Sequence, residues 1–125
     1  MIDKKILVID DIASMRKVTA SILMVANYTN ITQAADGDEA LKILQEETFD
    51  MIICDWEMPN MSGLELLLEV KKIEKLKDIP FLMLTSNTEQ VKVDVALKKG
   101  ATDYIIKPIQ PSILLQKISY CLSIN

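Results

Sequence analysis

Short runs of consecutive apolar residues recur along the chain, and stretches with helical spacing separate them. The clearest runs are 6–9, 51–54, 81–84 and 104–106, and a weaker one covers 30–34. The clear runs lack the alternation of polar and apolar residues that a half-exposed strand shows. They therefore predict strands that are buried on both faces, as in a parallel sheet.

The interval after the first predicted strand has the spacing of an amphipathic helix. Its apolar residues recur every three or four positions, at Ile12, Met15, Val18, Ile22 and Val25. Because this spacing places them on one side of a helix, we predict that this stripe faces the sheet.

Capping and turn residues mark the ends of the other helices. The turn at 36–38 begins the second helix, and a capping box at Ser62 begins the third. A fourth helix is predicted over 89–99, with Gly100 as its left-handed cap. Pro111 fits the first turn of a fifth helix.

The alternation of five predicted strands with five helices indicates an α/β fold. We predict a doubly wound parallel sheet with right-handed crossovers, in which ligands bind beyond the carboxyl ends of the strands. The residues at those ends are Asp10, Asp11, Asp55, Thr85, Ser86 and Lys107.

Composition excludes several kinds of site. The 125 residues include no histidine, so Ser-His-Asp and Cys-His nucleophiles and histidine-ligated zinc are ruled out. The net charge of −4 argues against a sequence-independent grip on nucleic acid. Cys54 and Cys121 are far apart, and no apolar run is long enough for a membrane span or a leader. We therefore expect a cytoplasmic protein with free thiols.

Each strand-end residue alone has a simpler interpretation, such as a helix cap at Asp11 or a solvated surface charge at Lys107. Together they form a coherent chemical set. Crowded carboxylates repel one another unless a cation joins them, and Mg²⁺ prefers such oxygen ligands. A carboxylate such as Asp55 can also accept a phosphoryl group, while a fixed cation and a hydroxyl stabilise the charged oxygens. The pattern therefore predicts phosphoryl transfer.

At this point the chain resembles the receiver domain of response regulators over essentially all of its length. The motifs that match are Asp10-Asp11, Asp55-x-x-Met58-Pro59-x-x-x-Gly63, Thr85-Ser86 and Lys107-Pro108. The resemblance implies a flavodoxin-like (βα)5 sandwich with strand order 2-1-3-4-5. It also implies a single domain over 1–125, with no output domain. The Met15-Arg16 pair and the run 55–61 are typical of the chemotaxis regulators in that family.

The resemblance also implies a role for each site residue. Asp55 would be the phosphoacceptor, Thr85 would follow the phosphoryl group on activation, and Lys107 would pair with it. Tyr104 would be the aromatic switch. The ligands of Mg²⁺ would be Asp10, Asp11, Asp55 and the Glu57 main-chain carbonyl. The Lys107-Pro108 peptide bond is expected to be cis.

The function implied by the resemblance is a two-component signalling switch rather than a turnover enzyme. A histidine kinase would donate the phosphoryl group, and the phosphorylated monomer would bind a protein through helix 4, strand 5 and helix 5. In chemotaxis that partner is the flagellar motor switch. No nucleic acid or membrane is expected to bind.

Other functions stay open on the residues alone. The chain could be a stand-alone phosphorelay receiver or the receiver part of a larger regulator. An aspartate-nucleophile phosphatase would need an acid two residues after Asp55, where Glu57 stands. A flavin-binding domain would need a phosphate loop where Asp10-Asp11 would repel phosphate.

Two positions at the edge of the site invite hypotheses. Glu57 stands where chemotaxis regulators commonly carry Asn, so its side chain is either merely solvated or alters metal affinity and phosphoryl lifetime. On the second interpretation, Glu57→Asn changes the autodephosphorylation rate. Asn87 is a second variable position near Thr85.

Overall fold

The computed structural model describes residues 2–86 and 90–123, except for the side chain of Gln90. Strands and helices alternate strictly along these residues. In chain order they are β1 (Ile2–Ile9), α1 (Ala13–Val25), β2 (Tyr28–Ala34), α2 (Gly37–Glu46), β3 (Met51–Asp55), α3 (Gly63–Lys72), β4 (Phe81–Thr85), α4 (Gln90–Lys98), β5 (Asp103–Ile106) and α5 (Pro111–Ser123). The predicted elements are all present, and the described part of α4 ends within one residue of its predicted end. Glu89 and Asn87 lie outside the described residues.

The strands form one parallel sheet in the order β2-β1-β3-β4-β5. This confirms the predicted α/β class and the strand order implied by the resemblance. β3 is the central strand, so its carboxyl end lies between those of β1 and β4. Residues that follow these strands therefore meet at one edge of the sheet.

Both faces of the sheet are covered by apolar side chains. In β1, Leu7 and Ile9 pack into one core, whereas Ile6 and Val8 pack into the other. The first core includes side chains from α2 and α3, and the second includes side chains from α1 and α5. Because alternate residues of a strand point to opposite faces, two cores require a continuous apolar run.

The predicted apolar stripe of α1 is wrong in its details. Val18 and Val25 are exposed, whereas Ala20 and Leu23 are buried, and Leu23 packs into the second core. Apolar side chains occur around most of this helix, so spacing alone did not identify the inward face. A buried hydroxyl, which the pattern ignored, also lies on that face: Thr19 donates a hydrogen bond of 3.2 Å to the Met15 carbonyl.

The predicted caps and turns agree with the structure. Ser62 Oγ accepts a hydrogen bond of 3.1 Å from Glu65 N, and the Glu65 carboxylate accepts one from Ser62 N, which completes the capping box. Gly100 has a φ of 113°, in the left-handed region. The Lys107–Pro108 bond is cis, as predicted. No helix among the described residues is long and apolar enough to cross a membrane.

Candidate functional site

Four neighbouring strands deliver polar residues to one edge of the sheet. Asp10 follows β1, Asp55 and Thr85 end β3 and β4, and Lys107 follows β5. Asp10, Asp55 and Thr85 are almost completely buried, although each is polar. Burial of polar groups is costly unless they are paired, so their collection at this edge indicates a functional site.

Three carboxylates face one another at this edge. One oxygen from each of Asp10, Asp11 and Asp55 lies within 4.8 Å of the other two, and Asp11 is the exposed member. Asp11 does not cap α1; instead, Asp10 Oδ1 accepts a hydrogen bond of 2.9 Å from Ile12 N. The side chain of Asp11 is thus available to the cluster. The set offers hard oxygen ligands of the kind that Mg²⁺ prefers.

Lys107 supplies the positive charge beside this cluster. Its Nζ lies 2.5 Å from Asp55 Oδ1. Among the described residues, that oxygen accepts no hydrogen bond of good geometry, so the contact is best regarded as an ion pair. A buried carboxylate oxygen with a cation on one side and two carboxylates nearby fits a site for a further cation.

The pKa of Asp55 reflects these opposing influences. The pKa is raised from 3.8 to about 6, mainly because the carboxylate is buried; the charges of Asp10 and Glu57 add to this rise, and the contact and charge of Lys107 oppose it. Burial also acts to lower the pKa of Lys107, but the neighbouring carboxylates outweigh burial and raise it. At neutral pH Asp55 is therefore mainly an anion beside a charged Lys107.

Cys54, next to Asp55 in sequence, is buried in the core. Burial and then the charges of Asp55 and Asp10 raise its pKa well above the ordinary value. Because the thiolate is the reactive form, this thiol is inert. Cys54 is a free thiol, as expected, and it packs as a small apolar residue of the core.

The side chain of Glu57 is not merely solvated. Its Oε1 accepts hydrogen bonds from Thr85 Oγ1 at 3.0 Å, Ser86 N at 2.9 Å and Ser86 Oγ at 2.7 Å. Burial acts to raise the pKa of Glu57, but these hydrogen bonds outweigh it and lower the pKa. Glu57 thus joins the loop after β3 to the end of β4. The signal in the sequence was an acid shortly after one strand and two hydroxyl residues ending the adjacent one.

Arg16 is a second residue whose part in the site the sequence did not reveal. Its Nη1 donates a hydrogen bond of 2.6 Å to the main-chain carbonyl of Asp10, and its Nε donates to Gln33 Oε1 at 3.2 Å. The guanidinium therefore ties α1 to the segment that carries Asp10 and Asp11. This contact gives a structural reason for the arginine of the Met15-Arg16 pair.

Gly63 allows α3 to begin directly beneath the Asp55 loop. A Cβ at this position would lie 2.4 Å from the Asp55 carbonyl oxygen and 2.8 Å from Trp56 Cα. Gly63 N also donates a hydrogen bond of 2.8 Å to the Trp56 carbonyl. The backbone at Asp55 and the helix can approach so closely only because the side chain is absent.

Tyr104 lies on β5, away from the carboxylates, and is half-buried. Lys117 Nζ is 5.6 Å from the centre of its ring and 3.0 Å from Asp103 Oδ2. Tyr104 and Lys117 line a groove of about 220 Å³ together with Ile106 and Ile113, both of which are partly exposed. The predicted switch residue therefore borders a surface groove between β5 and α5.

The fold, together with carboxylates, a hydroxyl and an ammonium at this edge of the sheet, is that of a receiver domain of the α/β class. The chain belongs to the response regulator receiver domain family, whose family model matches residues 6–119. It is 37% identical over 114 residues to the chemotaxis protein CheY of Pseudomonas aeruginosa, covering 91% of this chain and 92% of that protein. The likeness to chemotaxis regulators expected from the sequence is therefore confirmed.

Solved structures agree with this family membership. Vibrio cholerae chemotaxis protein CheY4 superposes with a TM-score of 0.89 at 38% identity, covering 95% of this chain and 98% of that one. The receiver domain of the sensor histidine kinase PA1611 from Pseudomonas aeruginosa gives a TM-score of 0.87 at 25% identity, covering 96% and 98%. In that second protein a magnesium ion is coordinated in the active-site cleft.

Proposed function

We propose that this protein is a signalling switch in which Asp55 accepts a phosphoryl group from a histidine kinase. The observation that carries the proposal is the buried Asp55 carboxylate, held between the Lys107 ammonium and the carboxylates of Asp10 and Asp11. Membership of the receiver domain family supports this class of reaction. The switch acts on no outside substrate, since its only reactions are its own phosphorylation and dephosphorylation.

Mg²⁺ is the cofactor of this reaction, held by Asp10, Asp11, Asp55 and the Glu57 main-chain carbonyl. The three clustered carboxylates and the buried Asp55 oxygen without a hydrogen bond of good geometry fit a hard divalent cation. When bound, the ion supplies positive charge that neutralises the phosphoryl oxygens.

The chain's own residues carry out the transfer. An Asp55 oxygen attacks phosphorus while the bond to the donor's imidazole nitrogen breaks, and the electron pair of that bond stays with the imidazole. The Lys107 ammonium stabilises the charge on the phosphoryl oxygens, and the Thr85 hydroxyl donates a hydrogen bond to one of them. With a pKa of about 6, Asp55 is mainly ionised at neutral pH, as a nucleophile must be.

Output passes through the face formed by α4, β5 and α5. Charge added at Asp55 draws Thr85 toward it, and half-buried Tyr104 repacks into the space behind. The groove beside Tyr104 and the partly exposed Ile106 and Ile113 supply a surface that such repacking would reshape. The chemotaxis relatives favour the flagellar motor switch as the partner, with the protein acting as a cytoplasmic monomer.

One observation counts against the phosphatase alternative. That reaction needs a protonated acid at position 57, whereas Glu57 accepts three hydrogen bonds, and its pKa is lowered. An ionised acceptor cannot donate a proton to a leaving group.

Trp56 provides the test because it adjoins Asp55 and is half-buried. With Mg²⁺ present, beryllofluoride should change the tryptophan fluorescence of the parent and of Asp78→Asn, but not of Asp55→Asn. Asp78 is an exposed matched control that precedes β4, at the opposite edge of the sheet. An identical response in the parent and Asp55→Asn, or no response in either, would overturn the proposal.

A further inference from the structure

The carboxylate of Glu57 accepts a hydrogen bond from Thr85, the residue that in the proposed function donates to a phosphoryl group on Asp55. A single oxygen, Oε1, accepts from Thr85 Oγ1, Ser86 N and Ser86 Oγ at 2.7–3.0 Å. Hydrogen bonds to an ionised acceptor are stronger than those between neutral groups. Glu57 thus holds two consecutive residues at the end of β4 in place.

Glu57 and a phosphoryl group on Asp55 would compete because Thr85 has a single side-chain donor. The Thr85 hydroxyl carries one proton, so when it donates to Glu57 it cannot donate to a phosphoryl oxygen at the same time. Thr85 is almost completely buried, which limits the alternative positions of its side chain. The two anions are therefore alternative acceptors for the single proton of the Thr85 hydroxyl.

Electrostatics act in the same direction. A phosphoryl group adds about −1.5 to −2 charges at neutral pH. Placed on Asp55, it would repel the Glu57 carboxylate, whose charge already acts on Asp55. The phosphorylated state must therefore displace Glu57 from Thr85 and Ser86 or share their donors with it.

We propose that Glu57 is a positioning residue that competes with the phosphoryl group for the Thr85 hydroxyl and thereby opposes the switch to the activated state. This inference rests on the proposed function. It gives the side chain of Glu57 a role separate from that of its main-chain carbonyl. An anionic side chain two residues after Asp55 would thus oppose activation of the same protein.

The experiment measures the beryllofluoride concentration that half-saturates Asp55, at Mg²⁺ concentrations that saturate each variant. Trp56 fluorescence gives the Mg²⁺ titration, and ¹⁹F spectra give the beryllofluoride occupancy. Glu57→Gln, which removes the charge, should bind roughly tenfold more tightly than the parent, because the loss of a charged competitor releases Thr85. Glu74→Gln, at an exposed site, is the matched control and should leave the value unchanged.

Two further variants separate hydrogen bonding from simple charge. Glu57→Asp keeps the charge but shortens the reach to Thr85 and Ser86, so it should also tighten binding. In a Thr85→Ala background, Glu57→Gln should lose most of its effect, because the contested donor is gone. Thermal melting establishes that every variant is folded.

The results distinguish a failure of the Glu57 proposal from a failure of the proposed function. If the parent binds beryllofluoride but Glu57→Gln binds equally or more weakly, competition by Glu57 is wrong and the proposed function stands. Two other results would also show that Glu57 does not compete for Thr85. One is that Glu57→Asp binds beryllofluoride as the parent does. The other is that Glu57→Gln tightens binding as much in the Thr85→Ala background as in the parent. If the parent shows no occupancy that depends on Asp55, both proposals fall.

Discussion

The ammonium of Lys107 lies 2.5 Å from the Asp55 carboxylate, and strand β4 lies between the strands that carry these two residues. The contact spans the carboxyl edge from the centre of the sheet to its outer strand. It also leaves Asp55 with a pKa that is raised by burial despite a cation beside it. Several measurable properties depend on this balance.

The contribution of Asp55 to the stability of the metal-free protein should fall as the pH rises from about 4 to about 7. The folded pKa of Asp55, about 6, exceeds its ordinary value of 3.8, so the folded state binds the proton more tightly in this window. Its stabilising contribution is complete below the unfolded pKa and is lost as the pH rises through the folded one. For this shift the loss is at most about 3 kcal/mol.

We would measure this effect by urea unfolding of the parent and of Asp55→Asn, each in the presence of a chelator. The lowered pKa of Glu57 contributes with the opposite sign, but it is present in both proteins and cancels in the difference. The difference in free energy of unfolding should change across the window. Parallel curves for the two proteins would show that Asp55 titrates normally.

Removing the ammonium should make Asp55 harder to ionise. In Lys107→Met the lowering effect of Lys107 on the Asp55 pKa is lost, while burial and the charges of Asp10 and Glu57 remain. The pH at which acetyl phosphate reacts at half its maximal rate should therefore move upward, and the maximal rate should fall roughly tenfold or more. An exposed control, Lys98→Met, should retain the parent profile. An unchanged pH dependence in Lys107→Met would show that Lys107 does not lower the pKa of Asp55.

The two buried glycines that begin α2 and α3 should respond differently to alanine. At Gly63 the new Cβ would meet main-chain atoms, the Asp55 oxygen at 2.4 Å and Trp56 Cα at 2.8 Å. At Gly37 the nearest atom is Met61 Sδ at 2.4 Å, part of a flexible side chain that can move aside.

We expect Gly63→Ala to lose about 1–3 kcal/mol of stability and to bind Mg²⁺ more weakly, because the Asp55 loop must shift. Gly37→Ala should lose less and bind Mg²⁺ as the parent does. Chemical denaturation and Mg²⁺ titration of Trp56 fluorescence measure the two effects. Equal losses at both positions would refute the main-chain contact as the cause.

Loss of the Arg16 guanidinium should weaken the binding of Mg²⁺ indirectly. Arg16 contacts the main-chain carbonyl of Asp10 and not the carboxylates that would bind the ion. Arg16→Gln removes the 2.6 Å hydrogen bond to the Asp10 carbonyl and loosens the segment with Asp10 and Asp11. A charged hydrogen bond contributes about 1.5–3 kcal/mol, so we expect Mg²⁺ affinity to fall roughly fivefold or more. Lys17→Gln, at the adjacent exposed position, is the control. Equal affinities in the two variants would remove this role for Arg16.

The sequence predicted the sheet and the position of the site because both follow from topology. Continuous apolar runs identify strands with two covered faces, and parallel strands bring their carboxyl ends to one edge. Asp10, Asp55, Thr85 and Lys107 therefore needed no side-chain geometry to be placed together. The sequence therefore predicted which residues lie together at the site, although not how their side chains contact one another.

Other features depended on choices that spacing does not encode. Leu23 and Val25 are both apolar, yet only Leu23 is buried, because packing against the sheet selects among several apolar sides of α1. Glu57 lies in a loop, where its contact with Thr85 depends on side-chain direction. Arg16 reaches a main-chain carbonyl, and such an acceptor leaves no mark in the sequence.

The position of Asp55 on the central strand has a mechanical consequence. The strand that ends in Asp55 is paired on both sides, with β1 and with β4, and Trp56 N adds a hydrogen bond of 2.8 Å to the Leu84 carbonyl. Asp55 therefore lies in a well-anchored part of the sheet, so side chains and loops must respond to any change of charge there. β5, at the edge, has a strand on one side only. Its amide protons should exchange with solvent sooner than those of β3, so a response to charge added at Asp55 would pass from a strand paired on both sides toward one paired on a single side.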